Sequence, residues 1–291
     1  MEVTFMKRLI SISLLLAACV GMLIGCGQAG FDPKASVNVV SREEGSGTRS
    51  AFIEMFGIEV KGADGTKKDL TSKEAIIAKQ TDVMMTNIAR NQNAIGYISL
   101  GSLNDTVKAV AIDGAPATSE NVKNGSYSIS RPFFVATKGA PAGLADDFIK
   151  FILSDQGQAV VSKSYISVSN TAPAYAGEGI KGKIVVAGSS SVTPVMEKLR
   201  EAYIKINPDA VIEIQQSDSS AGMNAAISGT CDIGMASREL KENELKELKP
   251  VKIAIDGIAV IVNKLNSITG LSKQQVKDIF TAGAVWNDLL N

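Results

Sequence analysis

Apolar positions along the chain follow two rhythms that alternate. Short β-branched runs at 37–40, 94–99, 107–112, 133–137, 184–187, 211–216, 233–236 and 251–255 have the length and composition of strands. Between them, residues 74–89, 145–153, 194–206, 241–248 and 273–281 space their apolar side chains three and four apart, which lays one apolar stripe along a helix. A shorter helix is predicted over 50–56, and the last one opens with Ser272-x-x-Gln275, a capping box. Parallel strands need a crossover between them, most often a helix, so this alternation predicts an α/β fold with mainly parallel sheets.

Three segments stand outside the rhythm. Lys7 and Arg8 precede an uncharged run, 9–25, that is short for a membrane span and sized for the hydrophobic region of an export signal, so 1–25 is predicted to be a signal peptide. Gly25 to Gly30 matches GxGxxG formally, but it follows that signal and not a strand, so it does not read as a dinucleotide site. Residues 170–183, rich in Gly, Ala and Pro, read as a surface connection. Val107 to Gly114 and Val251 to Gly257 also echo each other, each ending Ile-Asp-Gly; paired hinge strands or chance would both produce this.

Composition narrows the chemistry. The 291 residues include 30 Lys and Arg, 30 Asp and Glu, and no histidine. Catalysis by Ser-His-Asp or Cys-His and HExxH zinc sites are therefore excluded, and no metal or cofactor is called for. A neutral chain without a basic run does not read as a nucleic-acid binder. Cys231 has no disulfide partner or CxxC spacing and reads as a small core residue. No Walker GxxxxGK[ST] or SxxK pattern occurs, so binding is favoured over catalysis and the chain does not read as an enzyme.

Four strand-to-helix turns concentrate small hydroxyl residues: Ser41 to Arg49, Gly188 to Thr193, Ser217 to Gly222, and Met235 to Arg238. The first turn of a helix has unsatisfied N–H groups and the positive end of the dipole, so each turn is suited to an anion. Glycine permits close backbone approach, hydroxyls add donors, and Arg42 supplies a fork for an oxyanion. Ordinary N-capping by Ser or Thr would explain any one turn alone.

Six blocks carry a resemblance over nearly all of the chain after residue 25: Val39 to Phe52, Gly188 to Val195, Asp232 to Leu240, Asp256 to Asn263, Ala94 to Gly101, and Ser130 to Phe134. Together they resemble the extracytoplasmic phosphate-binding proteins of phosphate ABC transporters. Leu23-Ile24-Gly25-Cys26 likewise resembles a bacterial lipobox, implying that Cys26 is lipidated and begins the mature protein. The block order differs from the family's, in which the Gly188 block comes first and the Arg42 block follows the Val285-Trp286-Asn287-Asp288 segment. The chain thus looks circularly permuted, with the usual termini joined through 170–183.

The resemblance implies a two-lobed, type II binding-protein fold with mixed, mainly parallel sheets and a two-strand hinge. One lobe would combine 32–107 with 259–291 and the other would be contiguous over 108–258, placing both Ile-Asp-Gly echoes at the crossings. Carried over by motif, the phosphate ligands are Arg42, Ser46, Gly47 and Thr48 from one lobe and Ser190, Ser191, Ser219 and Ser237 from the other. Ser237 stands where some relatives have an aspartate, which puts rejection of sulfate in question; Glu44 is expected to orient Arg42, with Glu43 in solvent. The implied partners are inorganic phosphate and the permease and ATPase subunits of the transporter. The implied state is a monomer held by lipid at the outer face of the cell membrane or in the periplasm. Sulfate, molybdate or an organic phosphate as ligand, or a surface sensor or adhesin that does not transport, are the alternatives.

Overall fold

The computed structural model describes residues 31–169, 171–177 and 179–290; the predicted export signal, the lipidation site Cys26 and the 25–30 glycine motif lie outside them. The chain forms β1 (Asn38–Arg42), α1 (Gly47–Met55), a ribbon of β2 (Glu59–Lys61) and β3 (Lys67–Asp69), then β4 (Ile76–Ala78), α2 (Thr81–Arg90) and β5 (Ala94–Ser99). It continues through β6 (Val107–Ala109), β7 (Ala111–Ile112), α3 (Ser119–Lys123), β8 (Ser130–Lys138), α4 (Gly143–Leu153), α5 (Asp155–Val161), β9 (Gly182–Ser189) and α6 (Thr193–Ile206). The remainder is β10 (Ala210–Ser217), α7 (Ser219–Ser228), β11 (Ile233–Ala236), α8 (Glu242–Glu247), the long β12 (Leu248–Asn263), β13 (Gly270–Leu271) and α9 (Lys273–Ala282). Ser272 and Gln275 form the expected capping box of α9.

Among the described residues, one nine-stranded sheet runs β10-β9-β11-β8-β12-β5-β1-β4, with β6 beside β12. The strands toward either edge are parallel to their neighbours, whereas the pairs made by β8 with β11 and by β12 with β8, β5 and β6 are antiparallel. The sheet is therefore mixed. Strand β12 serves two halves of the molecule: up to Gly257 it pairs with β8, and from Ile258 it pairs with β5.

Helices cover both faces of each half, so alternate residues of a central strand enter different cores. On β8, Phe133 and Val135 join the core of α4, α5 and α6, while Phe134 and Ala136 face α7. Along β12, Ile258, Val260 and Val262 pack with α1 and α9, and Ala259 and Ile261 pack with α2. Cys231 is buried in the α7 cluster, as its lone position suggested, and burial pushes its thiol up to about 11.

The structure departs from the sequence expectations in four places. Residues 76–78 of the predicted 74–89 helix form β4, because the exposed edge of β1 offers a parallel partner and the helix begins only at Thr81. The run 107–112 breaks into β6 and β7, since Val107–Ala109 pairs with β12 and Ala111–Ile112 pairs with β13. The two Ile-Asp-Gly echoes also differ. Asp256 and Gly257 are extended in β12, whereas Asp113 (φ 49°) turns the chain and its carboxylate accepts the N–H of Lys273. Residues 108–129, expected in the contiguous half, mostly pack in the other one, where Val110, Ile112, Tyr127 and Ile129 share a core with α1 and α9. The hydroxyl of Tyr127 donates to the carbonyl of Ile258 at 2.7 Å and Ile258 N–H donates to Ile129, so the chain crosses at Ile129–Ser130.

Residues 171–177 and 179–181 form no regular element, as expected of a connection, but the segment is pinned. Tyr175 packs edge-on against Phe151, and its hydroxyl and that of Tyr203 both donate to the buried carboxylate of Asp147. Asn207 donates to Tyr175 in turn. Removing the shared acceptor leaves the buried Tyr203 hydroxyl unmatched, so Asp147→Ala should lower stability by about 1–3 kcal/mol, measured by urea unfolding.

Candidate oxyanion site

Two strands of each half run toward the other half, antiparallel to that half's own pair, and a helix starts close after each: β1 leads to α1 and β4 to α2 from one side, β9 to α6 and β10 to α7 from the other. Ligands of open α/β sheets bind outside the carboxyl ends of strands, where first-turn N–H groups and helix dipoles converge. Between these facing strand ends Arg42, Ser46, Thr48, Thr81, Ser189, Ser190, Ser191, Ser219 and Ser237 are all buried. So many polar side chains out of water demand partners, and they find them in one another.

Arg42 is the anchor. Its backbone N–H donates to the Tyr97 hydroxyl at 3.0 Å, and that hydroxyl also bonds Ser41 at 2.8 Å. Tyr97 is held by stacking on Phe52, with ring centroids 3.8 Å apart, and burial pushes its hydroxyl above the ordinary value so that it stays protonated. The guanidinium donates through Nε to the Ala78 carbonyl at 3.1 Å, through Nη1 to Thr81 at 3.3 Å and through Nη2 to Ser190 at 3.0 Å. Glu43 completes it with two bonds, at 2.8 and 2.7 Å. This corrects the expectation for the two glutamates: Glu44 is exposed, and Glu43 orients Arg42. The reason is local, because β1 ends at Arg42 and the chain turns there, Ser46 N–H donating to Glu43.

The predicted residues of both halves meet across the cleft. Thr48 bonds Ser191 hydroxyl to hydroxyl at 2.7 Å, and Thr81 lies 3.3 Å from both Ser190 and Ser191. Ser237 bonds Ser189 at 2.9 Å, with Ser219 at 3.4 Å and the Ser237 N–H donating to Ser219 at 3.1 Å. Gly47 faces these last two so closely that an added Cβ would stand 2.5 Å from Ser219 Oγ and 2.7 Å from Ser237 Oγ. The backbone closes the same gap, with Ser220 N–H donating to Gly45 at 3.2 Å.

Capping accounts for only one of these serines. Ser46 caps α1, accepting from Arg49 N–H. Helix α6 has no side-chain cap, and α7 is capped by Asp218, which leaves Ser190, Ser191 and Ser219 to the cleft. Thr81 and Ser189 belong to the cluster although neither was predicted. Thr81 begins α2 after β4, a fifth strand-to-helix turn that the apparent 74–89 helix concealed; Ser189 stood within a quoted turn. Near Ser237, Arg238 is tied away by Glu244, at 2.7 and 2.8 Å.

Chemically, the cluster offers neutral donors, helix N-termini and one guanidinium, arranged to surround a small oxyanion. Comparison with known proteins shows the family. The family model described as "PBP superfamily domain" matches residues 28–156 and 173–291. The phosphate-binding protein PstS 2 of Streptococcus agalactiae is 53% identical over 289 residues, covering 98% of both chains. The chain belongs to the phosphate-binding proteins of the PBP superfamily. A crystal structure of a phosphate-binding protein of a phosphate ABC transporter from Streptococcus pneumoniae is 43% identical and superposes with a TM-score of 0.69, covering 88% of this chain and all of that one. The phosphate-binding protein PstS of Staphylococcus haemolyticus matches over a shorter stretch, 40% identical across 119 residues, or 38% of each chain.

Gly47 lies where the two halves meet, against Ser219 and Ser237 of the opposite half. Gly47→Ala should leave folding intact and hold the cleft open, since a methyl group there would collide with Ser219 and Ser237. Small-angle scattering should then give a larger radius of gyration for the variant than for the wild-type protein.

Proposed function

We propose that the chain binds inorganic phosphate in the cleft between its halves, outside the cytoplasm, and delivers it to the permease of an ABC transporter. The observation that carries this reading is the buried ring around Arg42, in which hydroxyls from two halves converge and are not spent as helix caps. Its ligands are Arg42, Ser46, Gly47, Thr48, Ser190, Ser191, Ser219 and Ser237, joined by Thr81. Dipoles and neutral donors hold a tetrahedral dianion without surplus positive charge, and one arginine with its own carboxylate partner keeps the site near neutrality. The protein acts as a receptor and not as an enzyme, since the hydroxyls have no histidine or lysine partner to activate them.

The same reading extends to the chain's surroundings. Residues 1–25 direct export, Cys26 carries the lipid that holds the protein as a monomer at the outer face of the membrane, and the ATPase subunit supplies the energy. Among the described residues no helix is long and apolar enough to cross a membrane. The block order is a circular permutation of the usual one, shared with the Streptococcus agalactiae relative, whose alignment runs through 98% of both chains. Two features support it. Residues 284–287 run alongside 33–37, with Val285 bridged to Ser36 and Asn287 N–H donating to Pro33, which the usual order would make continuous. The staphylococcal match stops after 119 residues, as an alignment must when order changes.

Calorimetry on the purified protein should show one phosphate per chain. Arg42→Ala should weaken binding by about 3 kcal/mol, roughly a hundredfold, because a desolvated charged hydrogen bond is lost. Unchanged affinity in that variant would overturn the site, and sulfate, molybdate or an organic phosphate winning in competition would replace phosphate as the ligand.

A further inference from the structure

A second buried arginine lies where β12 passes from one half to the other. Arg131 on β8 stands directly opposite Asp256 on β12, one residue before β12 changes partner, and both side chains are 1% exposed. Their contact is a single one, Nη2 to Oδ2 at 3.3 Å, and the Nε and Nη1 atoms of Arg131 have no hydrogen-bond partner. Arg131 rests on the ring of Phe133, 5.4 Å from its centroid. The other carboxylate oxygen of Asp256 accepts the N–H of Gly101, from the loop that follows β5 in the opposite half. Gly257 is packed so tightly against Leu100 that an added Cβ would stand 2.8 Å from it, so this crossing has little room to rearrange.

We propose that Arg131 is a second affinity-determining cation for the oxyanion in the cleft, and that Asp256 sets its strength by screening it when ionised. The inference rests on the phosphate-binding reading above. A guanidinium with two idle donors and one long ion-pair contact is poorly neutralised, and in a low-dielectric interior its field reaches beyond its contacts. The pair connects to the cleft through β5, since Asp256 bonds Gly101 just after that strand and Tyr97 on it bonds the Arg42 N–H; burial holds Arg131 down to about 10, against the pull of Asp256, and the Arg42 charge lowers it further. Any anion that Arg42 holds stands in the same field.

The screen can be lifted within an ordinary pH range. Burial pushes Asp256 up to about 6, against the opposing effects of Arg131, the Gly101 N–H and Ser99. The other titratable groups facing the pair are Arg42 on β1, Tyr97 on β5, Tyr127 before β8 and Tyr165 after α5. Burial raises all three tyrosines, so Asp256 alone changes charge between pH 5 and pH 8 among these groups. As pH falls through 6, Asp256 takes up a proton, Arg131 stands unscreened, and the protein's hold on an anion strengthens.

The test is the affinity for inorganic phosphate of the wild-type protein, D256N, R131Q and the R131Q/D256N double variant, by calorimetry from pH 5 to pH 8. Phosphate itself titrates in this range, but that effect cancels in the ratio of two affinities at one pH. Asparagine keeps the acceptor for Gly101 and mimics the protonated carboxyl. D256N should therefore bind at least about fivefold more tightly than wild type at pH 8, with the ratio falling toward one at pH 5. On the R131Q background the same substitution should lose this effect. A purely structural role would move neither the pH dependence of the ratio nor its dependence on Arg131. A flat ratio, or weaker binding by D256N, in a wild-type protein that still binds phosphate would overturn this inference alone; absence of phosphate binding by wild type would overturn the function on which it rests. Should D256N fail to fold, R131Q decides, since equal affinity with wild type at pH 5 would refute the role of Arg131.

Discussion

Taking a guanidinium out of water costs several kcal/mol unless its donors are met, and around Arg42 the chain meets them from several directions at once. Glu43 comes from the turn after β1, Ala78 and Thr81 from the β4–α2 junction, and Ser190 from the β9–α6 turn of the opposite half. These partners lie far apart in sequence, so satisfying one side chain requires β4 beside β1 and the two halves in contact. Tyr97 and Phe52 then fix the backbone of Arg42 from beneath, which carries the constraint into the core.

The cleft and the crossing use charge in opposite ways. At the cleft, Arg42 has a tight two-bond carboxylate partner and further neutral acceptors, so it adds direction without much net charge. At the crossing, Arg131 has one long contact and two idle donors, so it adds field without direction. Strand β12 links the two places, since it carries Asp256 and then continues as a central strand of the half that holds Arg42.

Most elements were legible because both faces of the sheet are covered, so its central strands read as apolar runs and its helices as apolar stripes. The strand β4 was not legible, since Ile76 and Ile77 are exposed at the sheet edge and their spacing suits a helix equally well. That ambiguity also hid Thr81. That Glu43 and not Glu44 meets Arg42 was not legible either, because it depends on the chain turning directly after β1, where Ser46 N–H donates to the Glu43 carbonyl. The Ile-Asp-Gly echo was misleading for a related reason: identical letters are an extended strand where β8 pairs with them and a turn where no partner does.

By itself the sequence determined most of the strands and helices, the hydroxyl-rich turns that precede the helices, and the absence of histidine chemistry, because these depend on spacing and side-chain type within a few residues. Only the tertiary structure decided which turns face one another, which serines are free of capping duty, and where the chain passes between halves. Those outcomes depend on contacts between residues more than a hundred positions apart, such as Arg42 with Ser190 and Tyr127 with Ile258, which no local pattern encodes.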